Sequence, residues 1–320
     1  MPNRDILAAL NTEHLTLSKP IVIAGGTGFI GRALTRQLLD RGHAVTILTR
    51  TPRPRLDAAR EIAWDGAHAG GWAAQIDGAE AIINLAGRSI SCPHNPENLR
   101  AIAASRIQSA QAIAQAIRQV STPPRTWVQA SAVGYYGDTG DTLCDESSPA
   151  GHDLLADICQ QWEAALTAAP LTATRPVILR IGFVLGRDGG ALPVLQHLTR
   201  WFLGGAVGHG QQYLSWIHLA DLADMFVQAI ENPALTGPCN AVAPHPVTNA
   251  QFMRALRHAL HRPWSPPAPA LAVKFGARLL GTESSLALIS QRCTPKKFLA
   301  AGFPWQFPEL PPALADLCRQ

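Results

Sequence analysis

Short apolar runs alternate with amphipathic segments over the first 185 residues of the chain. The apolar runs predict buried strands at 21–24, 44–48, 79–85, 126–130 and 177–181, with a weaker strand at 61–64. Segments with apolar residues at every third or fourth position predict helices at 33–39, 97–120 and 154–168. Strands that alternate with helices indicate an α/β fold whose parallel sheet is covered on both faces.

The pattern changes after Gly182. Residues 186–212 are rich in glycine and are predicted as a mobile loop segment, followed by a helix at 221–230 that Asp221 and Asp224 cap. The tail from Ala270 is predicted to form helices and short strands. We therefore expect an N-terminal extension over 1–18 and a main domain over 19–185. Residues 186–320 would form mainly a smaller C-terminal α+β domain, with segments at about 214–250 returning to the main sheet.

A glycine-rich turn, GGTGFIG, occupies residues 25–31 between the first predicted strand and the first predicted helix. Glycine permits a tight turn out of the strand, a close approach of the backbone to a pyrophosphate, and close packing of helix on strand. The N–H groups that begin such a helix point at the phosphates. In this context the motif predicts a dinucleotide site in a Rossmann doubly wound parallel sheet. The predicted cofactor-binding residues of the turn are Gly25, Gly28, Phe29, Ile30 and Gly31.

The end of the second strand decides which nicotinamide nucleotide fits. Proteins that bind NAD place Asp or Glu there to hold the ribose hydroxyls, whereas this chain has Arg50 and Arg53. A guanidinium can bind a 2′-phosphate through two charge-assisted hydrogen bonds. The sequence therefore predicts NADP as the cofactor, with Arg50 as the residue that selects it. The alternative is that both arginines are solvated surface charges.

The composition excludes several other classes of protein. With 47% hydrophobic and 16% charged residues among 320, and a net charge of +4, the chain can bury a core and lacks a dense basic run. No apolar stretch reaches the roughly 18 residues of a membrane span. The six cysteines are scattered without zinc-like spacing. We therefore expect no nucleic-acid or membrane partner, no metal site and a reducing, cytoplasmic location.

Further motifs occur in order along the chain: INLAG (83–87), SAVGYYGD (131–138), WE (162–163), RIGFVLG (180–186), SWIHLADL (215–222) and PVTNAQF (246–252). Together with the glycine turn, they resemble the atypical extended short-chain dehydrogenase/reductases. Within that superfamily they are similar to the YfcH-type proteins of the NAD-dependent epimerase/dehydratase family. The resemblance runs from about residue 20 to the end of the chain. It implies a Rossmann core, a smaller C-terminal domain and a nicotinamide cofactor, usually NADP(H), without supplying a substrate.

The resemblance also implies positions for other site residues, all at carboxyl ends of strands. The implied cofactor contacts are Asn84, Ala86 and Gly87 on the adenosine side, Asp65 at the adenine, and Ile181 and Gly182 towards the nicotinamide. Ser131 would be the superfamily serine beside the nicotinamide. For Asn84 a purely turn-forming role stays open, because Asn is a common turn residue.

The chain departs from the superfamily in its proton-transfer residues. Active members use Tyr-x-x-x-Lys on a helix, but aligning that helix on its Trp-Glu pair puts Leu155 and Cys159 at those positions. The catalytic candidates that remain after the fifth strand are Ser131, Tyr136 and Tyr135, with Arg180 or Arg106 as a neighbouring charge. Alternatively, the tyrosines only shape the pocket.

We therefore expect an NADP(H)-binding atypical short-chain dehydrogenase/reductase, an oxidoreductase or epimerase acting on an unidentified small substrate. One alternative is a nucleotide-binding regulatory protein with little turnover, related to cell division. Another is an oligomer that only retains the nucleotide. A homodimer is left open as the assembly.

Overall fold

The computed structural model describes residues 19–168, 171–269 and 288–319. The predicted N-terminal extension and residues 270–287 of the predicted tail lie outside them. Within the described ranges the strands are β1 (Pro20–Ala24), β2 (Ala44–Thr49), β3 (Arg60–Ala63), β4 (Ala81–Asn84), β5 (Thr126–Ala132), β6 (Arg175–Ile181), β7 (Phe183–Leu185), β8 (Tyr213–Leu214), β9 (Trp216–His218), β10 (Gly237–Ala241) and β11 (Val247–Thr248).

The α-helices lie between these strands and after them. They are α1 (Phe29–Asp40), α2 (Pro96–Gln119), α3 (Leu154–Thr167), α4 (Leu192–Arg200), α5 (Leu219–Glu231), α6 (Asn249–Ala259), α7 (Lys296–Ala300) and α8 (Leu310–Cys318). Short 3₁₀ helices span Gly71–Gln75 and Val133–Tyr136. Of the helices in the described ranges, none combines the length and the apolar character needed to cross a membrane.

The main sheet holds seven parallel strands in the order β10-β6-β5-β4-β1-β2-β3. Every residue of β4 is buried, and only the first residue of β1 is exposed, as strands covered on both faces require. Helix α1 packs beside α5, and α2 packs beside α3. The predicted α/β class with a Rossmann doubly wound sheet is confirmed. The strand order reverses between β1 and β4, and open α/β sheets bind ligands at that reversal.

Local sequence explains where the helices beside the sheet begin. Asn95 accepts a hydrogen bond from an amide in the first turn of α2, and Asp153 accepts two in the first turn of α3. Helix α1 instead follows Gly28, which has no side chain to cap it. No side chain therefore competes with a ligand for the first amides of α1.

A second, smaller core lies between α4, α6 and α8, and its buried members include Leu185, Leu192, Trp216, Phe252, Met253, Leu256, Leu310, Ala313, Leu314 and Leu317. Helix α4 lies inside the segment predicted as a mobile loop, so that prediction is wrong for Leu192–Arg200. The buried face of α4 repeats at helical spacing through Leu192, Gln196 and Thr199. The glycines that suggested a loop flank this helix rather than interrupt it.

The start of α5 also differs from the prediction. His218, not Asp221 or Asp224, is the capping residue, and its Nδ1 atom accepts a hydrogen bond from the amide of Ala220 at 3.1 Å. The helix thus begins two residues earlier than the acidic pair suggested. Asp221 instead contacts the C-terminal segment, about 85 residues further along the chain, and local sequence patterns do not reveal that contact.

Asp221 is fully buried and binds the C-terminal segment to α5. Its carboxylate accepts hydrogen bonds from the amides of Gln306 at 2.7 Å and Phe307 at 3.0 Å. Burial raises the pKa of Asp221, while the two amide hydrogen bonds lower it. The two N–H donors therefore offset the free-energy cost of burying this carboxyl group.

Replacing Asp221 with alanine should leave two partly buried amides without an acceptor. We expect the free energy of unfolding to fall by about 2–4 kcal/mol, because each unsatisfied buried donor costs about 1–3 kcal/mol. Urea denaturation measures the change. Exposed Glu231, at the end of the same helix, provides the matched control. Glu231→Ala should change stability by less than about 0.5 kcal/mol. Equal loss in both variants would contradict this role of Asp221.

Candidate functional site

The glycine turn between β1 and α1 is built from close backbone contacts. Gly25 has φ +81°, and a Cβ atom there would lie 3.0 Å from the amide of Ala86 and the carbonyl of Leu85. A Cβ atom on Gly31 would lie 2.6 Å from the Cα atom of Gly26. These two positions therefore require glycine for conformation and for packing, respectively.

Gly28 differs from the other two glycines of the motif. Its backbone is in the extended region, at φ −74° and ψ 178°, which any residue adopts. A Cβ atom there would have the carbonyl oxygen of Gly25 as its nearest neighbour, at 3.4 Å. The space above the first turn of α1 is therefore open, as the predicted pyrophosphate site requires.

Phe29 begins α1 and lies under a second glycine-rich loop. Cβ atoms on Gly186 and Gly189 would each lie 2.5 Å from the Phe29 ring, and one on Gly190 would lie 3.2 Å from it. Ile30 is partly buried and packs against the main core. The loop after β7 thus covers the side of the turn from which α1 starts.

A cavity of about 480 Å³ lies beyond the carboxyl ends of β2 and β3. Exposed Arg50 lines it, together with Asp65, Trp64 and Trp72. The Asp65 carboxylate binds the ring Nδ1 atom of His68 at 2.6 Å. Amide hydrogen bonds, with the strongest effect from Ala67, and the His68 ring together lower the pKa of Asp65 to about 2. The cavity therefore presents a guanidinium and a charged carboxylate, while Trp64 and Trp72 are themselves buried.

Asn84 shapes the turn at the end of β4. It is fully buried, and its Oδ1 atom accepts a hydrogen bond from the amide of Ala86 at 3.0 Å. Its amide nitrogen donates to Ser109 at 3.1 Å and to Gln129 at 3.0 Å. These bonds fix the turn that carries Ala86, which is half-buried, and Gly87, which is exposed. Direct contact of this turn with adenosine stays a prediction.

A buried ion pair joins the ends of β5 and β6 to α3. Arg180 binds the Glu163 carboxylate through Nε at 2.9 Å and Nη2 at 2.8 Å. Ser131 donates its hydroxyl hydrogen to the same carboxylate at 2.7 Å. Burial lowers the pKa of Arg180, but its bonds and charge interaction with Glu163 raise it by more. The guanidinium therefore remains charged inside the protein.

Tyr136 continues this network towards β10. Its hydroxyl accepts a hydrogen bond from Arg180 Nη1 at 3.0 Å and donates to Asn240 Oδ1 at 2.8 Å. Asn240 in turn donates to the carbonyl of Thr294 at 2.9 Å. Burial raises the pKa of Tyr136 well above its usual range, although Arg180 lowers it. The phenol therefore stays neutral and keeps its proton.

Tyr135 packs against the same arginine. The guanidinium carbon of Arg180 is 3.4 Å from the centre of the Tyr135 ring, and the two tyrosine rings meet edge to face at 5.4 Å. Tyr135 is half-buried, and within the described ranges its hydroxyl makes no hydrogen bond. Of the three catalytic candidates, Tyr135 is thus the one whose hydroxyl is not already engaged.

Arg106 occupies a different place from Arg180. Its Nη1 atom donates to the carbonyls of Arg88 at 2.9 Å and Ile102 at 3.2 Å. Its guanidinium carbon lies 5.0 Å from the centre of the Trp162 ring, and burial lowers its pKa. Arg180 is therefore the cation that adjoins the tyrosines.

The positions aligned with Tyr-x-x-x-Lys hold no charged or phenolic group. Leu155 is half-buried in α3, and buried Cys159 packs against Gly134. Burial raises the pKa of Cys159 to about 12, so its thiol is neutral. One helical turn further on, Glu163 reaches Ser131. The Trp-Glu pair is a motif of the resemblance, but the partner of Glu163 is 32 residues away and is not visible in the sequence.

Ile181 and Gly182 lie where β6 ends. Ile181 is buried, and a Cβ atom on Gly182 would lie 2.5 Å from the carbonyl oxygen of Ser215. Gly182 also donates its amide to the carbonyl of Ala241 at 3.1 Å. The glycine therefore lets the chain after β6 pass between neighbouring strands, and its contact with a nicotinamide stays a prediction.

Alanine at Gly31 should affect the stability of the fold, whereas alanine at Gly28 should affect nucleotide binding. Gly31→Ala should lower the free energy of unfolding by about 1–3 kcal/mol, because its methyl group collides with backbone. Gly28→Ala should keep stability within about 0.5 kcal/mol. It should still weaken NADPH binding about tenfold or more, because the methyl group occupies the phosphate space. Denaturation and fluorescence titration measure the two effects, and unchanged NADPH affinity in Gly28→Ala would place the phosphates elsewhere.

Comparison with known sequences agrees with this geometry. The model of the NAD dependent epimerase/dehydratase family matches residues 21–242, and that of a domain of unknown function, DUF1731, matches 268–317. The epimerase family protein SDR39U1 of Bos taurus is 38% identical over 303 residues, which cover 93% of this chain and 99% of that protein. The epimerase family protein SA0724 of Staphylococcus aureus is 33% identical over 304 residues, with 94% and 100% covered.

A solved structure shows the same architecture. The crystal structure of human SDR39U1, isoform 2, with NADPH superposes with a TM-score of 0.84 at 36% identity. The match covers 93% of this chain and 99% of the human one. The sequence motifs, the sheet order and these relatives agree, so the chain belongs to the NAD-dependent epimerase/dehydratase family and is an atypical extended short-chain dehydrogenase/reductase.

Proposed function

We propose that this protein is an NADP(H)-dependent oxidoreductase or epimerase whose small substrate binds at the carboxyl ends of β5, β6 and β10. The observation that carries the proposal is the buried network of Ser131, Glu163, Arg180 and Tyr136. Buried ion pairs seldom add stability over well-packed apolar residues. A charged network at the carboxyl ends of sheet strands therefore supports a role in chemistry.

The cavity beside β2 supports NADP rather than NAD as the cofactor. Arg50, which lines this cavity, would bind the 2′-phosphate. No carboxylate stands at the position of Arg50 to hold unmodified ribose hydroxyls. The relative of known structure with NADPH supports the same assignment.

When bound, the nicotinamide donates or accepts a hydride, and the protein supplies orientation and proton transfer. We assign the proton transfer to Tyr135, because its hydroxyl has no hydrogen bond to any described residue and the charged Arg180 lies against its ring. A cation at that place stabilises a developing phenolate. This arrangement would replace the missing Tyr-x-x-x-Lys pair.

The other members of the network hold Arg180 in position. Glu163 fixes the guanidinium from one side through two hydrogen bonds, and Tyr136 receives a third. The Ser131 hydroxyl already donates its hydrogen bond to Glu163. Its oxygen can therefore only accept a hydrogen bond, for example from a substrate hydroxyl. A substrate would thus meet one hydrogen-bond acceptor, Ser131, and one proton-transfer group, Tyr135.

Arg50→Ala should weaken NADPH binding by about 10–100-fold, because a charge-assisted contact to phosphate contributes about 1.5–3 kcal/mol. Affinity for NADH should change little. Arg53→Ala is the matched control, since Arg53 follows the same strand but does not line the cavity. Fluorescence titration measures the affinity of each of the two variants for NADPH and for NADH. Equal loss for NADPH and NADH in Arg50→Ala would remove Arg50 from 2′-phosphate recognition.

Two measurements in sequence test whether the protein is an enzyme: the first identifies a bound cofactor, and the second searches for a substrate. Mass spectrometry of the purified protein should detect NADP(H), and a panel of aldehydes and ketones should include one that oxidises NADPH. Bound nucleotide without turnover on any carbonyl would favour the regulatory alternative.

Substitutions in the network should distinguish chemistry from positioning. With a reducible substrate in hand, Tyr135→Phe should slow turnover about 100-fold or more while NADPH affinity stays unchanged. Tyr136→Phe removes two hydrogen bonds at a buried site and should also lower the free energy of unfolding by about 1–3 kcal/mol. Full activity of Tyr135→Phe, with activity lost in Ser131→Ala or Tyr136→Phe, would move the proton transfer to those residues.

A further inference from the structure

The end of α4 with the loop after it, and the second half of α6 with the loop after it, are held together as one exposed surface, the α4/α6 loop surface, formed by residues 200–205 and 254–264. Arg262 donates from Nε to the carbonyl of Arg200 at 3.2 Å, and its guanidinium carbon lies 5.4 Å from the centre of the Phe202 ring. Arg257 donates to the carbonyl of Gly204 at 2.7 Å. The two loops therefore present their outer side chains in a fixed arrangement.

Large apolar side chains project from this surface. Trp201, Phe202 and Leu203 are consecutive and are exposed by 69%, 47% and 58%, and Trp264 on the second loop is exposed by 65%. Phe202 also adopts φ 60°, a conformation that is unfavourable for a bulky residue. Neighbouring exposed apolar residues of this size mark an interaction site.

The charged side chains of residues 200–205 and 254–264 are all basic. A cavity of about 300 Å³ on the same surface is lined by Arg254, Arg257, His258, His261, Arg262 and Pro263. No Asp or Glu occurs anywhere in residues 189–220 or 232–269. The surface is therefore electrostatically complementary to a partner that carries negative charge.

We propose that the α4/α6 loop surface binds the surface of an anionic phospholipid bilayer. Trp201, Phe202 and Trp264 would enter the headgroup region, where aromatic side chains are favoured, while the guanidinium groups contact lipid phosphates. Stable membrane association needs two such signals together, and this surface has both. The inference reverses the expectation that the protein has no membrane partner, and it is independent of the proposed chemistry.

The shape of the surface favours a bilayer over an acidic protein. Three consecutive side chains protrude, and a protein partner would need a matching pocket for each of them. The headgroup region of a bilayer accepts protruding rings without a preformed pocket. The experiment must therefore distinguish binding to a bilayer from binding to an acidic macromolecule.

Flotation of the full chain with vesicles tests the proposal. The protein should float with vesicles of phosphatidylcholine and phosphatidylglycerol, and not with phosphatidylcholine alone. High salt should release it, because salt screens the attraction of the arginines. Tryptophan fluorescence should shift to shorter wavelength when anionic vesicles are added.

Paired variants locate the contact. Trp201→Ser combined with Trp264→Ser should abolish flotation. Arg254→Gln should lower the partition coefficient about fivefold, as expected for one cation at an anionic surface. Leu56→Ser and Arg118→Gln, at exposed positions on other parts of the fold, should bind vesicles as the parent does. All variants should keep the parent's NADPH affinity and melting temperature.

Three results would overturn the proposal. They are no flotation with either vesicle, equal flotation with neutral and anionic vesicles, and parental flotation of the double tryptophan variant. Retention on an acidic protein or polysaccharide matrix without vesicle binding would also overturn it, and would assign the surface to an acidic macromolecule.

Discussion

The buried ion pair between Arg180 and Glu163 is the interaction on which the organisation of the candidate site depends. It joins β6 to α3, and through Ser131 and Tyr136 it also reaches β5 and the segment that leads to α3. Each buried charge loses several kcal/mol of hydration, and removing one partner of such a pair typically costs about 3–5 kcal/mol. The pair therefore fixes the geometry of the strand ends, and it keeps a positive charge beside Tyr135.

A second constraint acts at the point where the strand order of the sheet reverses. Gly31 allows α1 to pack directly on the turn after β1, and Asn84 fixes the turn after β4 on the other side of the reversal. The open space at Gly28 lies between these rigid parts. Arg50 follows β2 and Arg180 lies near the end of β6, so the two ends of the proposed nucleotide site would be set by different strands of one sheet.

Local patterns in the sequence were sufficient for six of the seven strands of the sheet and for the glycine turn, and the order of the motifs indicated the family. They predicted every strand of the sheet up to β6, because buried parallel strands and turn glycines have short-range signatures. They missed α4, which lies between glycine-rich stretches and packs on α6 and α8. They also misread Asp221, because its partners Gln306 and Phe307 lie about 85 residues further along the chain.

The network at the strand ends was beyond local patterns for the same reason. Ser131 and Glu163 are 32 residues apart, and Tyr136 and Asn240 are 104 apart. Only the fold brings them together. If these parts form one NADP(H) site, titration of the parent protein with NADPH and NADH is the most direct measurement of it. NADPH should bind about tenfold or more tightly than NADH. Equal affinities, or no binding of either nucleotide, would contradict it.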